Sequence, residues 1–281
     1  MYNLRYHLAS LVAVFLALAL GLVLGGLVVG QGTMDAQQRA IVSGLQRDFG
    51  RLNDDNQRLS AEINLQKTYS LQMTDAWVEG RLKGMTVVLL TSGQKTEGLQ
   101  EAITSVEQAG GTAAVVTLEK PGMGLSDKEI ADAVRSVVGT QTDLTAAVAA
   151  SLTAEWTAGA GVRPVTDALV KAGAINVTGL KSSTAATQAV TIAAFSRKPD
   201  KAALEVVKAY AAAGYYALGA QTPTSGTGVA VAAAAAKLSA FDTLGTAPGQ
   251  FTMVALFSGG EQGYYTLGNE DGPKFPPVPS P

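Results

Sequence analysis

Cysteine is absent from the 281 residues and histidine occurs once, so the chemistry open to this chain is narrow from the start. Without cysteine there are no disulfides, no thiolate metal sites and no cysteine nucleophile. The single histidine, His7, precedes a long apolar run, so nothing after residue 30 has an imidazole to work with. Ser92, Ser183 and Ser258 therefore lack the base that would activate them, and the chain reads as non-enzymatic. Aromatic residues make up only 6% of the chain against heavy use of Ala and Gly, which favours close helix-on-sheet packing over a large ligand cage. Charge is balanced at 21 basic and 23 acidic residues with no basic stripe, which excludes nucleic acid as a partner.

What the chain does have is one long hydrophobic stretch. Residues 8–30 (LASLVAVFLALALGLVLGGLVVG) carry no charge over 23 positions. At helical rise that length covers roughly 35 Å, enough for a hydrocarbon core of about 30 Å. A cleaved signal peptide has a shorter apolar core and an A-x-A-like site, and the following Gly-Gln-Gly-Thr-Met-Asp offers none. The stretch reads as a retained single-pass anchor in the lipid bilayer of the cell membrane. Its short, weakly positive leader places the N-terminus in the cytoplasm and the rest outside. Ala9, Ala13, Ala17, Gly21 and Gly25 recur every fourth residue, the spacing by which small residues let membrane helices pack closely.

Residues 31–80 follow a heptad pattern. With a at Val42, Phe49, Asn56, Ile63, Ser70 and Trp77, the d positions are Leu45, Leu52, Leu59, Gln66 and Met73. This predicts a coiled-coil stalk, whose register is carried by Leu45, Leu52, Asn56, Leu59 and Ile63. Asn at one a position favours two parallel strands, so the expected partner is a second copy, as a parallel homodimer or higher oligomer. The alternative is an amphipathic helix folded onto its own domain, and Gly44, Gly50, Gln66 and Ser70 weaken the seam.

From residue 81 the pattern turns to alternating strands and helices. Residues 85–91 (MTVVLLT) and 113–118 (AAVVTL) read as buried parallel strands joined by a helix over 97–108 capped by Thr96, which is a βαβ unit. Further helices are expected at 126–138 with a Ser126/Glu129 capping box, and at 142–157, 164–172, 200–213 and 226–237. Further strands are expected at 175–178, 189–195, 215–219 and 251–257 (FTMVALF). The fold class is thus α/β: a transmembrane helix, a stalk, and a domain with a mostly parallel, Rossmann-like sheet. The expected divisions are an anchor at 1–30, a stalk at 31–80, an extracytoplasmic domain at 81–271 and a disordered tail at 272–281, where half the residues are proline.

Two loops have some ligand-binding character. Residues 91–98, which include Ser92, carry glycines, Lys95 and Thr96 ahead of a helix but match neither phosphate-binding motif. Thr224, Ser225, Gly226, Thr227 and Gly228 bring hydroxyls and glycines to a helix start, an anion-nest pattern that a turn capped by Ser225 or Thr227 explains equally. Asp242 has no catalytic partner near it in sequence and reads as bonding its own loop.

Three segments stand out: the opening from Arg5 to Ala19 continued by Gly21–Gly25, the Gly110-Gly111 pair ahead of a strand, and the late Phe241-Asp242-Thr243, Ala247-Pro248-Gly249-Gln250, Val254-Ala255-Leu256 and Gly263-Tyr264-Tyr265. Together they resemble the actinobacterial MctB-like family of copper transporters. The last departs from the family where a histidine commonly precedes a tyrosine-glycine. The resemblance implies a role in copper homeostasis or efflux and, in some relatives, in cell separation or wall integrity. Copper is implied by the resemblance alone. The methionines, Met1, Met34, Met73, Met85, Met123 and Met253, are scattered and form no M-x-x-M motif, so no cofactor or metal ligand is assigned. The alternative is a dimeric structural scaffold whose head binds another envelope protein.

Overall fold

The computed structural model describes residues 4–30, 33–93, 98–159, 161–181, 184–192, 199–223, 228–266 and 275–278. The chain divides into two units, residues 1–66 and 67–281.

The first unit is helical. Helix α1 (Leu4–Gly30) contains the apolar run, and its segment from Arg5 to Leu27 is long and apolar enough to cross a membrane. Helix α2 (Thr33–Val78) begins in this unit and runs unbroken for 46 residues. Its heptad side chains Val42, Leu45, Phe49, Leu52, Leu59 and Ile63 are each about half to two-thirds exposed in the single chain.

The second unit is a three-layer α/β domain. Its sheet contains β1 (Thr86–Ser92), β2 (Thr112–Leu118), β3 (Ile175–Thr178), β4 (Gln188–Ile192), β5 (Tyr216–Ala220), β6 (Ser239–Phe241) and β7 (Tyr264–Tyr265). The strand order is β3-β2-β1-β4-β5-β6-β7, and every pairing is parallel except that of β3 with β2. The predicted βαβ unit is present, with α3 (Leu99–Gln108) between β1 and β2.

Alternation along β1 divides the core in two. Val88 and Leu90 join Val116, Leu118 and Ala189 on one face, under α4 (Lys128–Val138), α5 (Leu144–Thr157), α6 (Pro164–Lys171), α7 (Lys201–Ala212) and α8 (Val229–Ala235). Val87 and Leu89 join Val190, Ile192 and Leu218 on the other, under α3 and α9 (Ala247–Phe257). Each face is a period-two set of apolar side chains, which is why the strands read as continuous hydrophobic runs.

The last turns of α2 belong to this second unit, and they pack on the face of α9. Thr74, Val78 and the following Leu82 are buried, and the Trp77 ring meets Phe251 at 4.5 Å between centroids. Arg81 places its guanidinium 3.9 Å over the Trp77 ring and donates from Nε to the Trp77 carbonyl. Gln250 donates to Asp75 and to Gln108. The heptad pattern therefore changes owner: Trp77, an a position in the sequence reading, is a contact of the chain's own head, while Met73 remains half exposed.

Several local expectations need correction. Residues 251–257 are helix α9, not a strand, and Met253 is a buried helical residue. Nine of the eleven α9 residues are buried, so it has no polar face to betray its period. Thr246 accepts the Gly249 N–H and Pro248 sits in the first turn, which together start the helix. Asp127 rather than Ser126 caps α4, accepting the Glu129 N–H at 3.0 Å. Strand β4 spans Gln188–Ile192, and the rest of its expected range lies outside the described residues, as do Thr96, Ser225, Gly226 and most of the tail. Strands β6 and β7 were not expected.

Tyr210 of α7 is fully buried, and among the described residues its hydroxyl has no hydrogen-bond partner. Burial pushes its pKa well above the ordinary 10.0, against a smaller opposing effect of the Arg163 charge. Folded chain thus keeps a proton that unfolded chain releases near pH 10. The associated stability is intact below pH 10 and is lost above it at up to about 1.4 kcal/mol per pH unit. Tyr210→Phe is expected to match or exceed the parent's melting temperature at pH 7, because it removes a buried unpaired hydroxyl. Denaturation measured from pH 8 to 11.5 is expected to show a shallower alkaline decline in the variant.

Candidate functional site

In an open parallel sheet, ligands bind beyond the carboxyl ends of the strands where the connections reverse. Here that point lies beside β1. The crossover from β1 to β2 uses α3 on one face, whereas β4 connects to β5 through α7 on the other. A cleft of about 630 Å³ opens at this edge. Ser92 and Gly93 end β1, Leu118 and Glu119 end β2, and Pro199, Asp200 and Lys201 bring in the start of α7.

Asp200 holds the cleft together. Its Oδ1 accepts the N–H groups of Ala202 and Ala203, capping α7. Its Oδ2 accepts the Gly122 N–H at 2.9 Å, tying α7 to the turn that follows β2. That turn, Pro121–Gly124, places Gly122, Met123 and Gly124 in succession in the left-handed region, with φ of 62°, 57° and 66°. Met123 has a side chain and carries a conformational cost there, which its burial in the core offsets. Beyond Gly93, Gly98 opens α3 at φ +83°. A Cβ at Gly98 would come within 2.7 Å of Leu244 and 2.9 Å of Thr222.

Of the residues singled out in sequence, Ser92 lines this cleft. Gly228 does not: it is the left-handed cap of α8, a helix of only seven residues. The Ala230 N–H in that first turn is accepted by Gln221 Oε1 at 3.1 Å, while Ser225 and Thr227 lie outside the described residues. Asp242 accepts the Thr266 hydroxyl beyond the end of β7, a bond to a neighbouring strand end. Ala9, Ala13, Ala17, Gly21 and Gly25 lie within α1, and a Cβ at Gly21 or Gly25 would meet nothing within 4 Å in the single chain.

Glu119 and Asp200 were missed as site residues. Asp200 carried the ordinary signal of a helix start, but only the strand order places it opposite Ser92. Among the described residues, no three His, Asp or Glu side chains gather as metal ligands. Met123 and Met253 sit in the two separate core layers, and Met85 Sδ accepts a hydrogen bond from Gln188.

The sequence matches the family described as copper transport outer membrane protein, MctB, over residues 1–273. The match covers nearly the whole chain, and the chain belongs to that family. No curated protein matches it.

Asp200→Ala should lower the stability of the domain by about 1–2 kcal/mol, the cost of a lost helix cap, since three backbone N–H groups lose their acceptor. Chemical denaturation of the full chain checks this, with Asp200→Asn, which keeps an acceptor oxygen, falling between the two.

Proposed function

For this member of the MctB family we propose a membrane-anchored envelope protein that supports copper homeostasis as a parallel dimer, presenting its α/β heads to another envelope protein. The family match over residues 1–273 carries the copper assignment. Helix α1 anchors the chain with its N-terminus in the cytoplasm, and one such helix has no interior through which an ion could pass. Ala9, Ala13, Ala17, Gly21 and Gly25 offer a close-packing face without polar groups, so pairing through it makes a contact and no conduction path. Copper is therefore handled with a partner.

The exposed heptad stripe of α2 supports the dimer. A second copy covers Val42, Leu45, Phe49, Leu52, Leu59 and Ile63, which otherwise stay in water. Charge selects the parallel arrangement. The g positions Asp48, Asp55 and Glu62 are all acidic, and antiparallel packing would set g against g. Parallel packing sets each g against the next e, which brings Glu62 to Lys67 and leaves Asp48 and Asp55 facing the neutral Asn53 and Ser60. Asn56 then pairs with its own mate. The same stripe favours the structural side of the reading, in which two heads are held at one end of a paired stalk for a wall or division protein to engage.

Cells lacking the protein are expected to accumulate copper and to stop growing at lower external copper, with the intact gene restoring both. Cell-associated copper measured by elemental analysis checks this, and unchanged copper content would overturn the copper assignment.

A further inference from the structure

The cleft beside β1 has a chemistry of its own. Among the described residues, Ser92, Glu119 and Lys201 line it with no hydrogen bond or ion pair engaging their side chains, whereas Asp200 is fully committed to backbone N–H groups. Its volume of about 630 Å³ falls within the usual range for small-molecule sites, about 300–1,000 Å³. Pro121 and Pro199 supply apolar surface, and among the described lining residues the carboxylates of Glu119 and Asp200 outweigh the Lys201 ammonium. A phosphate or other anion is disfavoured by that balance, and a neutral ligand is not.

The sequence around the cleft narrows the class. Gly93 and Gly98 stand at the spacing of the first and last glycines of G-x-G-x-x-G, with Lys95 where the middle glycine would be. That middle glycine is the one that lets backbone approach a pyrophosphate. The acidic residue that reads ribose hydroxyls in such folds stands about 20 residues further on, at the end of the second strand. Glu119 occupies that place, directly after β2 and 21 residues after Gly98. The chain thus has the carboxylate that accepts from a vicinal diol and lacks the glycine a diphosphate needs.

From these observations we infer that the cleft binds a neutral ring bearing a vicinal diol. Glu119 accepts from the two hydroxyls, Ser92 and Lys201 complete the polar rim, and Pro121 and Pro199 pack on the ring face. A nucleoside and a glycoside of the envelope share this chemistry.

The test uses the full chain in detergent micelles, with adenosine and methyl β-glucopyranoside titrated separately by calorimetry and saturation-transfer NMR. Saturable binding of at least one is expected, weakened about tenfold or more by Glu119→Ala and unaffected by Glu107→Ala on the exposed side of α3. Binding of adenosine alone, with 2′-deoxyadenosine weaker by a similar factor, assigns a nucleoside. Binding of the glucoside alone assigns an envelope glycan, and binding of both assigns the ring diol itself. Failure of both probes to saturate, or equal binding by Glu119→Ala, overturns the inference. Glu119 is exposed, so its replacement leaves the core intact, and none of these outcomes bears on the copper assignment.

Discussion

The two-sided pairing of β1 is the constraint from which the head follows. β1 bonds β2 through seven registered residue pairs on one side and β4 through four on the other. Six of its seven residues are buried, and their alternation feeds both core layers at once. A strand buried on both faces is apolar through its middle, as Val87, Val88, Leu89 and Leu90 are, with Thr86, Thr91 and Ser92 at its ends. Because α3 and α7 lie on opposite faces beside it, the carboxyl end of β1 is also where the layers part and a cleft can open. Core and cleft therefore have one origin.

The helix that leads into the head obeys a different rule. Over its final turns α2 behaves as a core element, with Thr74 and Val78 buried and Trp77 against Phe251. Through Val42 to Ile63 the apolar spacing persists without any cover from the chain itself. At about 25 cal/mol per Å² of apolar surface, such a stripe gains from burial in a partner whose own stripe matches it. In the proposed parallel pair, the Asn at position 56 and the acidic g positions would act against alternatives, trading some stability for a defined register.

Much of the fold was legible because its signals are local. Apolar runs gave β1 and β2, Gly110 and Gly111 marked the turn between α3 and β2, and Pro164 marked the start of α6. What was not legible depended on contacts remote in sequence. FTMVALF reads alike as strand or helix when every side of it is covered, and only Thr246 and Pro248 ahead of it marked the helix. β6 and β7, three and two residues long, are strands only because β5 is there to pair with them. The cleft was least visible of all. Asp200 lies far along the chain from Ser92 and Glu119, and only the strand order brings it to them.

The central claim is that two copies pair in register along α2, and the absence of cysteine makes it directly measurable. Leu45→Cys and Leu59→Cys would each carry a single thiol at a d position, with Asp54→Cys on the outer face as the control. Each full-length variant is oxidised mildly in detergent and run without reductant. The account predicts that both d-position variants link to their own mates while the control does not, since a disulfide needs Cα atoms within about 7 Å. Linking of neither would mean that α2 is unpaired or pairs out of register, and linking of only one would mean an antiparallel or crossing pair, either of which contradicts the account.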